Sequence, residues 1–269
     1  MSDRDLRFEL EDGIAVLTLD RPDHANAFSP AMGQALGEAY RRCDEDDEIR
    51  VAVLTGAGPA FCVGADLGPG AETFARQDSE DFSAAAVSPP AFQVRKPVIA
   101  AVNGHAIGLG LTLALQCDIR LFARDAKYGV VQVRRGVMPD AYAHFTLPRI
   151  VGFARAADLL LTGRKVQGDE AVALGLASRA LPADEVLPAA LEIARDIATH
   201  TAPLSVAVTK RLLWESGSLD AASVERKETA LHHHLMGRED AREGVMAYLE
   251  RRTPHWQLRV SRDWPDWPD

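Results

Sequence analysis

Short apolar runs that end at turn residues recur along the first half of this sequence, and they constrain the fold more than any other feature. Residues 51–54 form one run, which ends at Gly56-Ala57-Gly58-Pro59, and residues 97–102 form a second, which ends at Asn103-Gly104. A third covers residues 119–122. Runs of this length bounded by turn residues are typical of buried strands. Because segments of helical periodicity alternate with them, the sequence predicts an α/β fold.

The start of the chain has a pattern that is typical of a β-hairpin. Leu6, Phe8 and Leu10 alternate with polar residues, and the apolar run resumes at Ile14. Between them, Asp12-Gly13 is a two-residue turn of the kind that joins antiparallel strands. We therefore expect two paired strands before the first helix.

Helical patterns dominate from about residue 154 onwards, with helices expected near 187–197, 201–214, 221–236 and 238–251. An earlier helix is expected after Ser29-Pro30, which supplies an N-cap followed by proline in the first turn. No Pro/Gly-rich linker separates the two halves. We expect a core at residues 1–200 and a helical region at 201–269 that docks against the core or against a neighbouring subunit.

Charge and cysteine usage exclude several classes of protein. The net charge of −9 and the lack of a basic run argue against a nucleic-acid partner. The three cysteines fit no zinc-site spacing, which indicates free thiols in a reducing compartment. The N-terminal residues show no apolar signal region, and the longest apolar stretch, 106–115, is too short to cross a bilayer. We expect a cytoplasmic protein without a membrane partner.

The consecutive residues 232–234, all histidine, point in different directions, so no metal site is expected there either.

Two glycine-rich turns follow two of the predicted strands, at residues 61–67 and 103–110. Glycine lets the backbone bend tightly and lets a ligand approach backbone N–H groups. The second turn leads into a helix, so its N–H groups lie near the positive end of the helix dipole. Each turn could also be a simple strand-to-helix connection, and the pair is more informative than either alone.

Several motifs in these segments resemble those of the enoyl-CoA hydratase/isomerase (crotonase) superfamily. The resemblance runs from about residue 8 to 249, in the family's order. The matching segments are Asn26-Ala27-Phe28-Ser29, residues 61–67, residues 96–108, Cys117-Asp118-Ile119-Arg120, residues 148–152, and Leu161-Thr162-Gly163 with Ala171 and Gly175-Leu176.

The resemblance implies a ββα spiral core that binds acyl-CoA and a C-terminal helical region that forms homotrimers or homohexamers. It also implies an oxyanion hole made by the N–H groups of Ala65 and Leu109, each typically worth about 3–4 kcal/mol of barrier. The family usually has glycine where this chain has Leu109, whose side chain would narrow the pocket or demand a different backbone angle.

The resemblance further implies that CoA enters as part of the thioester substrate and that no cofactor is tightly bound. The family binds the nucleotide near the segments that hold Asn26, Ala27, Asp66 and Leu67. Local candidates for phosphate or adenine contacts are Arg21 and His24, and candidates for a neighbouring subunit's CoA are Arg251 and Arg252.

The acid/base residues are where this chain departs from the family. Hydratases of the family use two glutamates, and those positions fall on Thr112 and Gln132 here. One carboxylate remains, Asp140, at a position that carries the acid of certain 3-enoyl to 2-enoyl isomerases, the second acid of dienoyl-CoA isomerases and the nucleophile of a dehalogenase. The dehalogenase also uses a histidine that residues 71–97 of this chain lack.

The local role of Asp140 stays open at the level of sequence. Pro139-Asp140 could instead start and cap the following helix. Val137, Met138 and Phe145 would raise the pKa of the carboxyl by desolvation, whereas a helix N-terminus would lower it.

Two histidines are weaker candidates for the pocket. His144 lies one predicted helical turn after Asp140, where a surface or packing role is the alternative. His105 borders the second turn, where a structural role is equally possible. The polar segment 71–90 is expected to form a mobile loop or an irregular helix over the site.

The sequence therefore predicts an acyl-CoA enzyme that stabilises a thioester enolate, with Asp140 as the single acid/base of a 3-enoyl to 2-enoyl isomerisation. The alternatives are a hydratase with weak hydration and a non-catalytic acyl-CoA-binding protein. A dinucleotide-binding oxidoreductase is disfavoured, because the glycines at 104–110 follow G-x-x-x-G-x-G rather than G-x-G-x-x-G.

Overall fold

The computed structural model describes residues 2–3, 5–75 and 83–269. Its strands are β1 (Ser2–Asp3), β2 (Leu6–Glu11), β3 (Ile14–Leu19), β4 (Val51–Gly56), β5 (Ala60–Cys62), β6 (Val98–Val102), β7 (His105–Ile107), β8 (Ile119–Ala123), β9 (Lys127–Gly129), β10 (Val166–Gln167) and β11 (Arg179–Leu181). Its α-helices are α1 (Pro30–Glu45), α2 (Leu109–Leu115), α3 (Ala143–Val151), α4 (Phe153–Thr162), α5 (Gly168–Leu174), α6 (Ala183–His200), α7 (Pro203–Ser216), α8 (Ala221–Leu235) and α9 (Glu239–Glu250).

A seven-stranded sheet forms the larger layer, in the order β1-β2-β3-β4-β6-β8-β11. The hairpin predicted at its start is confirmed: β2 and β3 pair antiparallel across a turn in which Asp12 and Gly13 both have positive φ, as a tight hairpin requires. From β3 onwards the pairs are parallel. Helix α6 contacts β4, β6 and β8, which are buried along most of their length. The predicted α/β class is confirmed.

A smaller sheet, in the order β10-β9-β7-β5, holds the two glycine-rich turns. Its strands have only two or three residues, and none of them was predicted. Strands β5 and β7 run parallel, so their carboxyl ends lie side by side. Two glycines allow the close approach: a Cβ added at Gly104 would lie 2.1 Å from the Pro59 carbonyl oxygen, and one at Gly110 would lie 2.1 Å from the Cys62 carbonyl oxygen.

Most of the predicted helices are present. Helix α1 begins as expected, with the Ser29 hydroxyl accepting a hydrogen bond from the Met32 N–H at 3.0 Å. Helices α6 to α9 cover the four later segments, with their ends shifted by up to a few residues. Within the described ranges, none of the helices is both long enough and apolar enough to cross a membrane.

The apolar interior divides close to residue 200. The main cluster of buried side chains runs from Leu6 to Ala194, and a smaller cluster is formed by Leu204, Val208, Leu231 and Leu258. We propose on this ground that 1–200 and 201–269 are two structural units.

Helix α7 is fastened to the sheet by a buried cation. The Lys210 ammonium donates to the carbonyl oxygens of Ala91 and Lys96, both at 2.9 Å, and lies 2.7 Å from the Asp118 carboxylate. Trp214 donates its indole N–H to the same carboxylate at 2.7 Å. Buried ions are tolerated when they are paired and hydrogen-bonded in this way. The first helix after residue 200 is therefore anchored on the core.

The segment after α9 lies back across the molecule, which the sequence pattern did not indicate. Arg95 donates to the Val260 carbonyl at 3.3 Å, and the Ser261 N–H donates to Asp47 at 3.1 Å. Further along, Trp267 donates to Glu215 at 2.8 Å and stacks on Trp264. The segment joins the loop before β4 to helix α7.

Candidate active site

The two glycine-rich turns meet at the ends of β5 and β7. Gly64 has φ of 90°, and a Cβ there would lie 2.6 Å from the Ile107 carbonyl oxygen and 3.6 Å from the Leu109 nitrogen. Glycine is needed at position 64 both for the backbone angle and for the close approach. The first turn is therefore held directly against the start of α2.

The N–H groups of Ala65 and Leu109 are available as donors at this meeting point. Leu109 is the first residue of α2, so its N–H has no acceptor inside the helix. Ala65 and Phe28 form an isolated parallel β-bridge. Its hydrogen bond is donated by the Phe28 N–H to the Gly64 carbonyl oxygen at 2.7 Å and does not use the Ala65 N–H. Among residues 2–3, 5–75 and 83–269, neither N–H has a hydrogen-bond acceptor. The arrangement suits a carbonyl oxygen bound from outside.

Leucine at position 109 is accommodated without strain. Its φ lies outside the left-handed region, and its side chain is only 8% exposed and packs in the main apolar cluster. A different backbone angle is therefore not required at this position, and the side chain lies in the interior.

Thr112 is fully buried, and its hydroxyl donates to the Leu109 carbonyl oxygen at 3.0 Å. This bond stays within α2. The structure thus gives the Thr112 hydroxyl a local partner at one of the two positions where hydratases carry a glutamate.

Gln132 and Asp140 are brought together beside the second turn. The Gln132 amide nitrogen donates to Asp140 Oδ1 at 3.0 Å, and the Gln132 side chain is 7% exposed. A Cβ placed on Gly108 would lie 3.7 Å from the amide carbon of Gln132. One amide group therefore separates the Asp140 carboxyl from the turn that carries the Leu109 N–H.

Burial raises the pKa of the Asp140 carboxyl above its ordinary value, and the hydrogen bond from Gln132 opposes that rise. Burial is the larger effect, which answers the question that the sequence left open. Met138 is 70% exposed, so the expectation that it desolvates this carboxyl is wrong.

Asp140 does not cap the following helix through its side chain. Helix α3 begins at Ala143 and its N-cap residue is Tyr142, which makes no side-chain cap. Between Asp140 and the helix, Ala141 and Tyr142 have φ of 46° and 63°. The interpretation of Pro139-Asp140 as a helix start is therefore wrong.

The turn after Asp140 is fixed by bonds to Ala141. The Ala141 N–H donates to the Ala84 carbonyl at 2.8 Å, and the Gln116 amide donates to the Ala141 carbonyl at 3.0 Å. Gln116 is fully buried at the end of α2. Sequence reasoning missed this residue, although a glutamine directly after an apolar helical run was a usable signal.

His144 and His105 make no hydrogen bond to Gln132 or Asp140 in the described structure. His144 is exposed in the first turn of α3, and the left-handed residues before it break the helical spacing that was expected to align it with Asp140. His105 is exposed on β7, where its ring nitrogen accepts the Lys127 N–H at 3.0 Å. The spacing argument for His144 is wrong, and His105 has a structural bond that supports the alternative considered for it.

Asn26 acts as an internal tie between loops. Its amide donates to the carbonyl oxygens of Ala57 and Ala60 at 2.9 and 2.7 Å and accepts from the Arg21 N–H at 2.8 Å. The side chain is completely buried, so it links the loop that contains Arg21 to the residues on either side of the start of β5. Ala27 is also buried, and its carbonyl oxygen accepts from the Arg21 guanidinium at 2.6 Å.

Asp66 and Leu67 are the more accessible of the four residues that the resemblance places near the CoA nucleotide. Leu67 is 55% exposed. The Gly68 N–H and the Arg21 guanidinium donate to Asp66, and together they hold the pKa of this carboxyl below its usual range. Of the other basic candidates, Arg252 is paired with Glu243 and Glu250, as expected for a solvated helix end.

The cysteines are buried free thiols, as predicted. Burial raises the pKa of Cys62, beside the first turn, to about 11, so its thiol stays protonated at neutral pH. In the part of the chain that the structure describes, no group of three or more potential metal ligands is assembled. Of the segment 71–90, residues 76–82 lie outside the described residues, and the rest includes a 3-10 turn at Gly70–Phe74.

Comparison with known proteins shows which family and which proteins this chain is similar to. The sequence profile described as "Enoyl-CoA hydratase/isomerase" matches residues 9–259. A probable enoyl-CoA hydratase from Rhodobacter capsulatus is 38% identical over 96% of this chain and all of its own length. An enoyl-CoA hydratase from Alternaria alternata is 36% identical over 91% of this chain and 83% of its own. A solved structure of a probable enoyl-CoA hydratase/isomerase from Mycobacterium abscessus superposes with a TM-score of 0.91 at 55% identity, covering 94% of this chain and 99% of that one.

Proposed function

Because this chain belongs to the enoyl-CoA hydratase/isomerase family, we propose that it converts a 3-enoyl-CoA into a 2-enoyl-CoA by a 1,3-proton shift. The observation that carries the proposal is the single carboxyl at Asp140, which Gln132 holds beside the Gly108–Leu109 turn. The substrate's CoA belongs to the thioester and is not a resident cofactor.

The thioester carbonyl is polarised by the N–H groups of Ala65 and Leu109. When the carboxylate of Asp140 takes a proton from C2, the electron pair of the C2–H bond spreads over the thioester oxygen and the C3–C4 double bond. The two N–H groups then hold the negative oxygen, and one such donor is typically worth about 10²–10³-fold in rate.

The same carboxyl completes the reaction. Protonated Asp140 returns the proton to C4, the π electrons move to C2–C3, and the enolate collapses to the conjugated thioester. The proton that leaves C2 is the one that enters C4, so neither water nor a redox partner is consumed. A carboxyl whose pKa is raised by burial suits this role, since it must both accept and release a proton near neutral pH.

The names of the curated relatives favour a second candidate, hydration of a 2-enoyl-CoA. Hydration needs one group to activate water and one to protonate the α-carbon. Thr112 and Gln132 cannot act as carboxylates, and the Thr112 hydroxyl is bonded within its helix. The chemistry of these residues supports the proton shift over hydration.

A panel of 2-enoyl- and 3-enoyl-CoA thioesters of several chain lengths distinguishes the candidates. We expect 3-enoyl-CoA to be converted to the conjugated thioester. We expect crotonyl-CoA hydration to be about 10²–10⁴-fold slower than in a family member with both glutamates, the usual contribution of a positioned acid/base. Hydration at that member's rate would refute the proposal, and tight binding without turnover of either class would indicate an acyl-CoA-binding protein instead.

A further inference from the structure

The amide of Gln132 is buried, and only one of its two ends is satisfied. Its nitrogen donates to Asp140 Oδ1 at 3.0 Å. Its oxygen, Oε1, is buried and has no hydrogen-bond partner among the residues that the structure describes. Buried polar atoms are nearly always paired, so an unpaired acceptor beside a titrating carboxyl calls for an explanation.

The amide group lies flat against Gly108. A Cβ placed on Gly108 would be 3.7 Å from the amide carbon, 3.7 Å from the nitrogen and 3.8 Å from Oε1. The nearly equal distances mean that the face of the amide, not one edge, covers this glycine. Rotation by 180° about the terminal bond would exchange nitrogen and oxygen while keeping the contact unchanged, and that torsion is broad and roughly two-fold in glutamine.

A carboxyl that shuttles a proton has opposite hydrogen-bonding needs in its two states. Ionised, it only accepts hydrogen bonds, and protonated, it also donates one. A lysine or arginine neighbour would favour the ionised state alone, and a second carboxylate would favour the protonated state. A primary amide has one donor end and one acceptor end, so it can serve both.

We propose that Gln132 is a positioning residue that holds the Asp140 carboxyl in both protonation states by rotating its amide. In the ionised state the nitrogen donates to the carboxylate, which is the hydrogen bond present between Gln132 and Asp140 in the structure. After Asp140 has taken the C2 proton, the rotated amide accepts the carboxyl O–H through Oε1. The unpaired Oε1 is then the acceptor for the protonated state of Asp140. The carboxyl therefore keeps the same position between the two proton transfers. This inference rests on the proposed role of Asp140.

The pH dependence of kcat/KM for a 3-enoyl-CoA tests this role, with Gln132→Met as the main variant. Methionine keeps the approximate shape of glutamine and removes both hydrogen-bonding ends. Methionine removes one hydrogen bond from each protonation state, and the bond to the ionised carboxylate is the stronger of the two. The pKa of Asp140 therefore rises further, and the acidic limb of the profile moves to higher pH, by about one unit. We expect kcat to fall by about tenfold or more while KM changes by no more than about twofold.

Gln132→Glu supplies a second variant of nearly the same shape. It places two carboxyls within hydrogen-bonding distance, and like charges that close cannot both ionise. The acidic limb should therefore also move to higher pH, and this variant keeps the test available if the methionine variant does not fold.

Gln116→Met is the matched control. Gln116 is also buried and also has an unpaired Oε1 among the described residues, but its amide bonds the Ala141 carbonyl and not a carboxyl. Its acidic limb should stay at the wild-type pH whatever happens to the rate. A wild-type limb in either Gln132 variant, or an equal displacement in the control, overturns the inference. If Asp140→Asn is inactive in that event, only the inference about Gln132 fails, whereas an active Asp140→Asn removes the proposed function itself.

Discussion

At the scale of single residues, the proposed function places the chemistry on Asp140, whose surroundings are set by its neighbours. Gln132 bonds the carboxyl, Gln116 fixes the next carbonyl, and burial keeps the pKa high. The activity should therefore depend on one ionisable group.

Asp140→Asn tests that dependence directly. Asparagine can still accept the Gln132 N–H but cannot take up a proton, so turnover of a 3-enoyl-CoA should fall by at least about 10²-fold. Affinity for a non-reactive acyl-CoA should be nearly unchanged, because the backbone donors remain. Steady-state kinetics and calorimetric titration check the two quantities, and equal turnover in mutant and wild type would remove Asp140 from the mechanism.

The sequence indicated which side chains lie near one another better than it indicated how the backbone arranges them. The family resemblance pointed to Thr112, Gln132 and Asp140, and Gln132 and Asp140 do lie together. The alignment of His144 with Asp140 failed, because it assumed a helix that already includes residue 140. Positive φ at Ala141 and Tyr142 prevents that helix, and neither residue type signals such an angle.

At the scale of elements, the short strands β5 and β7 position the N–H groups of Ala65 and Leu109. The long strands and helices were predictable because their apolar periodicity extends over several residues. Strands β5, β7 and β9 have three residues each, which is too few to show a period. Their pairing depends on contacts between distant parts of the chain, and single-sequence patterns do not contain that information.

Gly110→Ala tests how tightly these elements are packed. The added Cβ would lie 2.1 Å from the Cys62 carbonyl oxygen, a backbone atom that cannot move alone. We expect a loss of about 1–3 kcal/mol in the free energy of unfolding, the usual range for overpacking, together with reduced turnover because Leu109 is displaced. Urea unfolding measures the first effect.

Gly217→Ala is the matched control for that experiment. Gly217 has φ of −63°, and its nearest contact is the flexible side chain of Arg149 at 3.2 Å. Its unfolding free energy should stay within about 0.5 kcal/mol of wild type. Equal stability of the two variants would show that the turn can relax around a side chain.

At the scale of the whole molecule, the C-terminal helices carry large apolar side chains that are exposed to solvent. Among them are Leu213 at 69% exposure, Val245 at 58%, Leu249 at 66% and Tyr248 at 82%. Large exposed apolar patches mark interaction surfaces. We propose that 201–269 forms a homotrimer or homohexamer, as the family resemblance implies.

Light scattering at micromolar concentration checks the assembly. We expect the mass of a trimer or hexamer, and a smaller mass for Leu213→Glu, since a carboxylate in an apolar interface is costly. Gln34→Glu, at an exposed position of α1 outside residues 201–269, adds the same single negative charge and is the control. A monomeric wild-type protein would contradict the proposal.

The pairing of β5 with β7 has a consequence for how such a chain can change over evolutionary time. The two proposed oxyanion donors are backbone groups whose separation depends on strand pairing and on the close approach at Gly64. The positions linked to proton transfer, by contrast, are occupied by side chains on separate elements: Thr112 on α2, Gln132 on the turn at Gln132–Arg135, and Asp140 beyond that turn. Mutation can therefore redirect the fate of the enolate while its means of formation is inherited intact. A lineage with this architecture can acquire new reactions by a few substitutions. The intermediate forms would keep the backbone N–H groups that bind the thioester carbonyl.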